Sequence, residues 1–433
     1  MSDGMLRQDW YLRDRIEEWI DTQARTMQVS RRRVLEIFAG TSVGALLAAC
    51  APAGTPAPTP TVPAPTTGGA AGRPTAVPTT SVDNPHVKPT PDDLFINHGV
   101  NREMRWERMA GRGYTTPNEL FFIRDHTKTP VIDPASWRLT IKGSGVEREV
   151  QLTLDDLQRL PQTTVTKYVE CAGNGRSFFE SIGGRRASGT SWKLGAIGVA
   201  EFRGPRLRDV LDRAGLKRTA RDVMPEGLDD QRVRRPMPIE KATDGDTLIA
   251  LQMNGQPLPH DHGFPARVLV PGWIGVASIK WVGSIEVSET PLVSPWNTDS
   301  YVLIGPDYRP EPPAKGPVLS TQNVKSALEL PWPAQLRAGQ QTIRGRAWSG
   351  VGKITRVEYS FDGRNWQQAT LGAGPNDYGQ WVQFEFPWTA QPGQYELRLR
   401  AADDKGNVQP PTVPFNEQGY LYNGIVGHPV TVA

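Results

Sequence analysis

Cys171 stands in the run YVECAGNGRSFFE, residues 168–180. It follows a β-branched stretch at 165–169 that predicts a strand, and it precedes a turn carrying Gly173, Asn174 and Gly175. The pattern predicts a sulfur held at a strand end above a cleft, with glycines that allow close backbone approach or positive φ. Arg176, five residues on, sets a fixed positive charge near that sulfur. A neighbouring cation lowers a thiol's pKa and makes it a nucleophile or a soft metal ligand. Read alone, Cys171 is equally a small buried hydrophobe.

Other residue types suited to chemistry occur along the chain. Phe121, Phe122 and Ile123 predict an apolar strand that switches abruptly to charge at Arg124, Asp125 and His126. Such a switch sets binding groups at a strand end, although a surface arginine and a satisfied histidine are the default for these residue types. Gly227, Leu228 and Asp229 make a turn acid, and Trp192 reads as ordinary core. His260, Asp261 and His262 carry metal-ligand types, and as a strand they would point both histidines the same way, but the third ligand type and the spacing fit no common zinc pattern. Arg267 and Lys280 are cations of types that can bind an anion, the guanidinium in a bidentate fork. Tyr301, seven residues after Ser294 of an SPW run, offers a phenol that can donate a hydrogen bond or pass a proton.

Taken in order, these runs resemble the sulfite oxidase family of molybdopterin-dependent oxidoreductases. The resemblance rests on CAGN followed within two residues by arginine, on TTPNELFFIRDH, GLD, MNGQPLPHDHGFPARVLVPG and SPW, and on GRAWSG further on. It implies that Cys171 is the protein ligand of molybdenum, which is held with one molybdopterin and no haem. It implies catalytic roles for Arg124, Arg176, Trp192 and Tyr301 around a small oxyanion. It also implies cofactor contacts from Phe122, Ile123, Arg124, Asp125, His126, Asp229, His262, Arg267, Ser278, Ile279 and Lys280.

The implied reaction oxidises sulfite to sulfate and passes electrons to an external acceptor such as a cytochrome c. The chain has two cysteines and no Cys-x-x-Cys-His haem attachment. Two departures stand out: Asp125 replaces the usual asparagine, and Gln418 falls where sulfite-oxidising members show an arginine. The second departure keeps a molybdenum reductase of a sulfoxide or similar substrate open. A non-enzymatic lipoprotein binding module and a cysteine hydrolase using Cys171 with His126 or His262 are the remaining readings.

The elements that must position these groups divide the 433 residues into an α+β protein. A mixed α/β cofactor domain is expected over 92–310. It contains a strand at 137–142, a helix over 154–160 capped by Thr153 and stopped by Pro161, and a helix from Leu207 ending at Gly215. Alternating stretches near 342–345, 357–361, 382–386 and 395–399 then predict a β-sandwich over 318–433. The resemblance makes this an immunoglobulin-like dimerisation domain and implies a homodimer.

Ahead of these domains, Arg31, Arg32 and Arg33 lead into an apolar run that ends Leu47, Ala48, Ala49, Cys50. The run resembles a twin-arginine export signal closed by a lipoprotein box, with an ordinary cleaved signal and an unmodified Cys50 as the alternative. An extracytoplasmic, lipid-anchored protein is the expectation, and a start at Met1 or at Met27 fits equally. Residues 51–91 are rich in Pro, Thr and Ala and predict an extended tether. A net charge of +3 gives no electrostatic basis for a nucleic-acid partner.

Overall fold

A computed structural model describes residues 79–81 and 83–433. The expected export signal, Cys50 and most of the expected tether lie outside the described residues. Among the described residues no helix is long and apolar enough to cross a membrane.

The helix Leu154–Arg159 forms where the sequence sets it. Thr153 Oγ1 accepts from the Asp156 amide at 3.1 Å and the Asp156 carboxylate accepts from the Thr153 amide at 2.9 Å, a reciprocal capping box. Past Pro161 the chain enters Gln162–Glu170, which pairs antiparallel with Ile197–Pro205, Glu170 facing Ile197. The connection between these two strands, residues 171–196, holds Cys171, Arg176 and Trp192. Its ends are closed by the Cys171 amide donating to the Ala196 carbonyl at 2.9 Å.

A five-stranded sheet runs in the spatial order Val150–Leu152, Leu139–Lys142, Val282–Ser288, Asp222–Gly227, Met237–Pro238. Val282 lies opposite Gly227 in an antiparallel pair, so Asp229, just past one strand, and Lys280, just before the other, emerge at the same sheet end. Arg267–Leu269 pairs antiparallel with Leu248–Ala250. Leu139, Ile141, Val223, Val282, Ile285 and Val287 bury one side of this architecture against the helix Leu207–Asp212.

The second domain is a two-sheet sandwich. One sheet contains Lys325–Leu328, Gly339–Trp348, Trp381–Ala390 and Thr370–Leu371; the other contains Ala334–Leu336, Gly427–Val432, Gly393–Asp403, Ile354–Ser360 and Gln367–Gln368. Tyr359 and Phe386 stack between the sheets at 3.8 Å, within a core of alternating inward residues such as Phe384, Leu397 and Val430.

Three expectations are corrected. Phe121, Phe122 and Ile123 form no strand, only a single bridge from Ile123 to Arg102. The chain is folded before residue 92: the Val87 and Lys88 amides donate to the Asp261 carboxylate at 3.0 and 2.8 Å, and His86 is buried. Low hydrophobicity hid this segment because hydrogen bonds, not apolar burial, dock it. His260–His262 is a 3-10 turn rather than a strand, set by its proline start and by Gly263 at φ 111°.

Candidate active site

Two cavities meet at Cys171. The first is lined by Phe122, Arg124, Asp125, His126, Cys171, Asp229, His262, Arg267, Ser278, Ile279, Lys280 and Tyr301, among others. The second is lined by Arg124, Cys171, Arg176, Thr190, Tyr301, Gln418 and Tyr420, with Ser188, Gly189 and Ser300. Cys171, Arg124 and Tyr301 belong to both. A group bonded to the sulfur would therefore face one cavity while holding to the other.

The sulfur is placed by a tight turn. The Asn174 amide donates to the Cys171 carbonyl at 2.9 Å, and a Cβ on Gly173 would fall within 2.4 Å of the Arg176 guanidinium. Glycine at that position lets Arg176 fold back over the loop. Arg176 Nε donates to the Gln418 carbonyl at 2.8 Å and Nη1 to the Thr190 carbonyl at 2.7 Å. Both anchors are backbone oxygens, so the guanidinium charge is left unneutralised beside the cavity.

Arg124 donates to the Asp125 carbonyl and, from Nη2 at 3.0 Å, to His126 Nε2. Arginine can only donate, so Nε2 is the acceptor and the ring proton of neutral His126 sits on Nδ1. Burial, reinforced by the Arg124 charge, pushes His126 down to about 2. Trp296 of the SPW run packs edge-on against this ring at 4.5 Å, and the Tyr301 hydroxyl lies 3.4 Å from Nε2. Tyr301 takes φ 57°, a left-handed backbone that is strained for an aromatic residue and turns its phenol toward the cysteine. Burial, opposed by Arg124, raises that phenol above its ordinary value and keeps it a donor.

The first cavity is also lined by cations. Arg267 donates to the His262 carbonyl at 3.2 Å and the Ser278 carbonyl at 2.9 Å, while its buried Nε has no partner. Lys280 donates to the Asp125 carboxylate and to the Asp261 carbonyl. Burial lowers its pKa and Asp125 opposes the shift. Asp229 accepts from the Val233 amide at 3.0 Å. His86, Asp125 and Asp261 set possible ligand atoms within 4.8 Å of one another. Lys280 and the Val87 and Lys88 amides already engage the two carboxylates, so this cluster anchors chain segments.

Ile123 and Trp192 line neither cavity. Ile123 is buried and bonded through its backbone to Arg102. Trp192 is fully buried behind Phe122, ring centroids 6.3 Å apart. Sequence reasoning missed Tyr420, which stacks on Tyr301 at 5.1 Å, and Lys88, whose Nζ lies 3.2 Å from His262 Nε2. It also missed Glu170, although a carboxylate next to the cysteine was visible in ECAGN. Nothing in the local sequence marks Tyr420, which arrives from the last loop of the second domain.

The model for an oxidoreductase molybdopterin binding domain matches residues 126–296, and that for a Mo-co oxidoreductase dimerisation domain matches 317–430. The chain is 37% identical to sulfite oxidase of Gallus gallus over 347 residues, covering 74% of each chain. It belongs to the sulfite oxidase family. Mitochondrial sulfite oxidase of Homo sapiens is 37% identical over 330 residues, 72% of this chain; the match spans 60% of the human protein's length. The sulfane dehydrogenase SoxCD structure from Paracoccus pantotrophus superposes with a TM-score of 0.69 at 31% identity, covering 82% of this chain and 91% of that one.

The residues present fit the family's cofactor. A thiol lines the first cavity, the right donor for a soft transition metal. Lining the same cavity, Arg267, whose buried Nε has no partner among the described residues, and Lys280 offer donors to an anionic tail. Cys171 would hold the metal; Asp229, Arg267, Ser278 and Lys280 would hold the pterin and its phosphate.

Proposed function

We propose that this chain is an exported molybdenum-cofactor enzyme that oxidises sulfite to sulfate and hands electrons to an external carrier such as a cytochrome c. The observation that carries the reading is the single sulfur shared between a cavity lined by Arg267 and Lys280 and a second cavity bearing two arginines. When bound, the molybdenum centre supplies the oxygen-atom and two-electron chemistry. The protein's part is attraction and orientation. Arg124 and Arg176 draw an oxyanion into the second cavity, Tyr301 donates a hydrogen bond to an oxygen there, and neutral His126 fixes Arg124 without competing for the anion.

The twin-arginine run and Cys50 support export and a lipid anchor outside the cytoplasm, and the dimerisation-type second domain supports a homodimer. The chain has two cysteines and no Cys-x-x-Cys-His run, too few thiols for a four-cysteine iron–sulfur cluster or a covalently attached haem, which supports an external acceptor.

Molybdenum content per chain, followed by sulfite-dependent reduction of an artificial acceptor, tests the reading. Absence of metal and pterin from protein made in a cofactor-competent host overturns it. Turnover of a sulfoxide with reduced dye, and none of sulfite, replaces it with the reductase reading that Gln418 admits.

A further inference from the structure

One short strand touches both segments that carry the arginines of the second cavity. Asn101–Met104 pairs with Phe95–His98 in a hairpin, and Arg102 exchanges two backbone hydrogen bonds with Ile123, each at 2.9 Å, so the strand runs beside Arg124 and Asp125. The Glu103 carboxylate accepts from the Lys193 and Gly195 amides at 2.9 and 3.0 Å, holding the end of the connection that carries Arg176. The approach is close: a Cβ on Gly195 would fall 1.8 Å from the Met104 carbonyl oxygen.

Asn101 joins the two segments through one side chain. Its Oδ1 accepts from the Asp125 amide at 2.9 Å and its Nδ2 donates to Thr190 Oγ1 at 3.1 Å. A backbone N–H can only donate, so the orientation of the carboxamide is forced. Each partner is one step from a guanidinium. Arg124 donates to the Asp125 carbonyl, and Arg176 Nη1 donates to the Thr190 carbonyl at 2.7 Å. Asn101 is buried and lines neither cavity, whereas Thr190 lines the second.

An oxyanion shared by two guanidinium groups is held well only when their spacing matches its oxygens. Two like charges facing one cavity repel, so something other than the anion must set that spacing while the cavity is empty. We infer that Asn101 is a positioning residue for the second cavity: its carboxamide fixes the gap between the Arg124 and Arg176 guanidinium groups before an anion arrives. The gain is preorganisation, since the bound geometry is already in place. This role rests on the oxyanion reading of the second cavity and not on which oxyanion is turned over.

Sulfate, a non-reacting dianion, reports the gap without turnover. Its binding to the holoenzyme is measured by calorimetry, beside KM and kcat for sulfite and molybdenum content per chain. Asn101→Leu loses both hydrogen bonds at similar volume; Thr190→Val loses one of them, and Thr190→Ser keeps the hydroxyl. In Asn101→Leu and Thr190→Val, sulfate affinity and KM are expected to weaken about tenfold, the scale of one lost hydrogen bond and a small misplacement. Over the same variants kcat should stay within about threefold, with metal content unchanged and Thr190→Ser close to the parent. The double variant should lose no more than about tenfold, because both changes cut one link. Parental sulfate affinity in Thr190→Val overturns the inference even if Asn101→Leu fails to fold. Losses that multiply in the double variant also overturn it, by making Thr190 a direct anion contact. A parent that binds no sulfate removes the oxyanion reading and the inference with it, whereas the expected sulfate ranking without sulfite turnover removes the sulfite reading alone.

Discussion

Lys325 Nζ lies 2.8 Å from Glu170 Oε1, joining the first strand of the sandwich domain to the residue just before Cys171. Both side chains are buried. Glu170 also accepts from Trp348 Nε1 at 3.0 Å and Asn174 Nδ2 at 2.9 Å, and Lys325 reaches the Asn174 carbonyl at 3.1 Å. The second domain thus braces the turn that holds the sulfur, in addition to any role in pairing two chains.

Replacing Lys325 by methionine leaves the Glu170 carboxylate buried without its charge partner. Breaking such a pair from one side costs about 3–5 kcal/mol. Chemical denaturation of Lys325→Met should show that loss, and Lys325→Met with Glu170→Gln should recover part of it. A loss within about 0.5 kcal/mol, the size of an exposed-surface effect, would remove the brace.

The cavity lining that includes Arg124, His126, Arg267 and Lys280 was legible in the sequence because each residue sits in a run of recognisable wording and spacing. Folding brings those separate runs to one sheet end, as the Val282–Gly227 pairing shows for Asp229 and Lys280. Helix ends were also legible, since Thr153 and Asp156 cap through side chains only three residues apart. Tyr420, Lys88 and Glu170 were not. Their partners Tyr301, His262 and Lys325 lie more than a hundred residues away, where no local periodicity reaches. The predicted strand at 121–123 failed because its apolar side chains fill the core beneath the cavity while its backbone makes only one bridge.

Cys171→Ser should abolish molybdenum binding while leaving the fold, since a hydroxyl is a harder and more weakly ionised donor than a thiol. The expected readout is metal content near zero with an unfolding midpoint close to the parent's. Metal retained at the parental level would show that the sulfur is not the ligand.

Stability should fall below about pH 6.5. Burial lowers His428 to about 4, against its Nε2 contact to the Pro331 carbonyl at 2.8 Å, and lowers His86 to about 4. These rings are neutral in the folded chain and take up protons at 6.5 when unfolded, so the unfolded state binds more protons between 6.5 and 4. Each contributes a loss of roughly 1.4 kcal/mol per pH unit in that window and nothing above it. Denaturant titrations from pH 8 to 5 check the slope, and His428→Gln should remove its share; a slope unchanged by that variant would contradict the assignment.

Lys88 lies beside the cavity lined by His262. Its Nζ donates to the Asn118 carbonyl at 2.9 Å and the Phe121 carbonyl and lies 3.2 Å from His262 Nε2, so it fixes the ring that lines that cavity. Burial, opposed by Asp261, brings its pKa down to about 7. Lys88→Met should leave the sandwich domain untouched but loosen His262 and the segment it docks. The expected outcome is release of pterin from the holoenzyme several-fold faster, followed by the fluorescence of the oxidised pterin in the filtrate, with Lys88→Arg intermediate. Parental release from Lys88→Met would show that the strap only covers the domain and does not support its cavity.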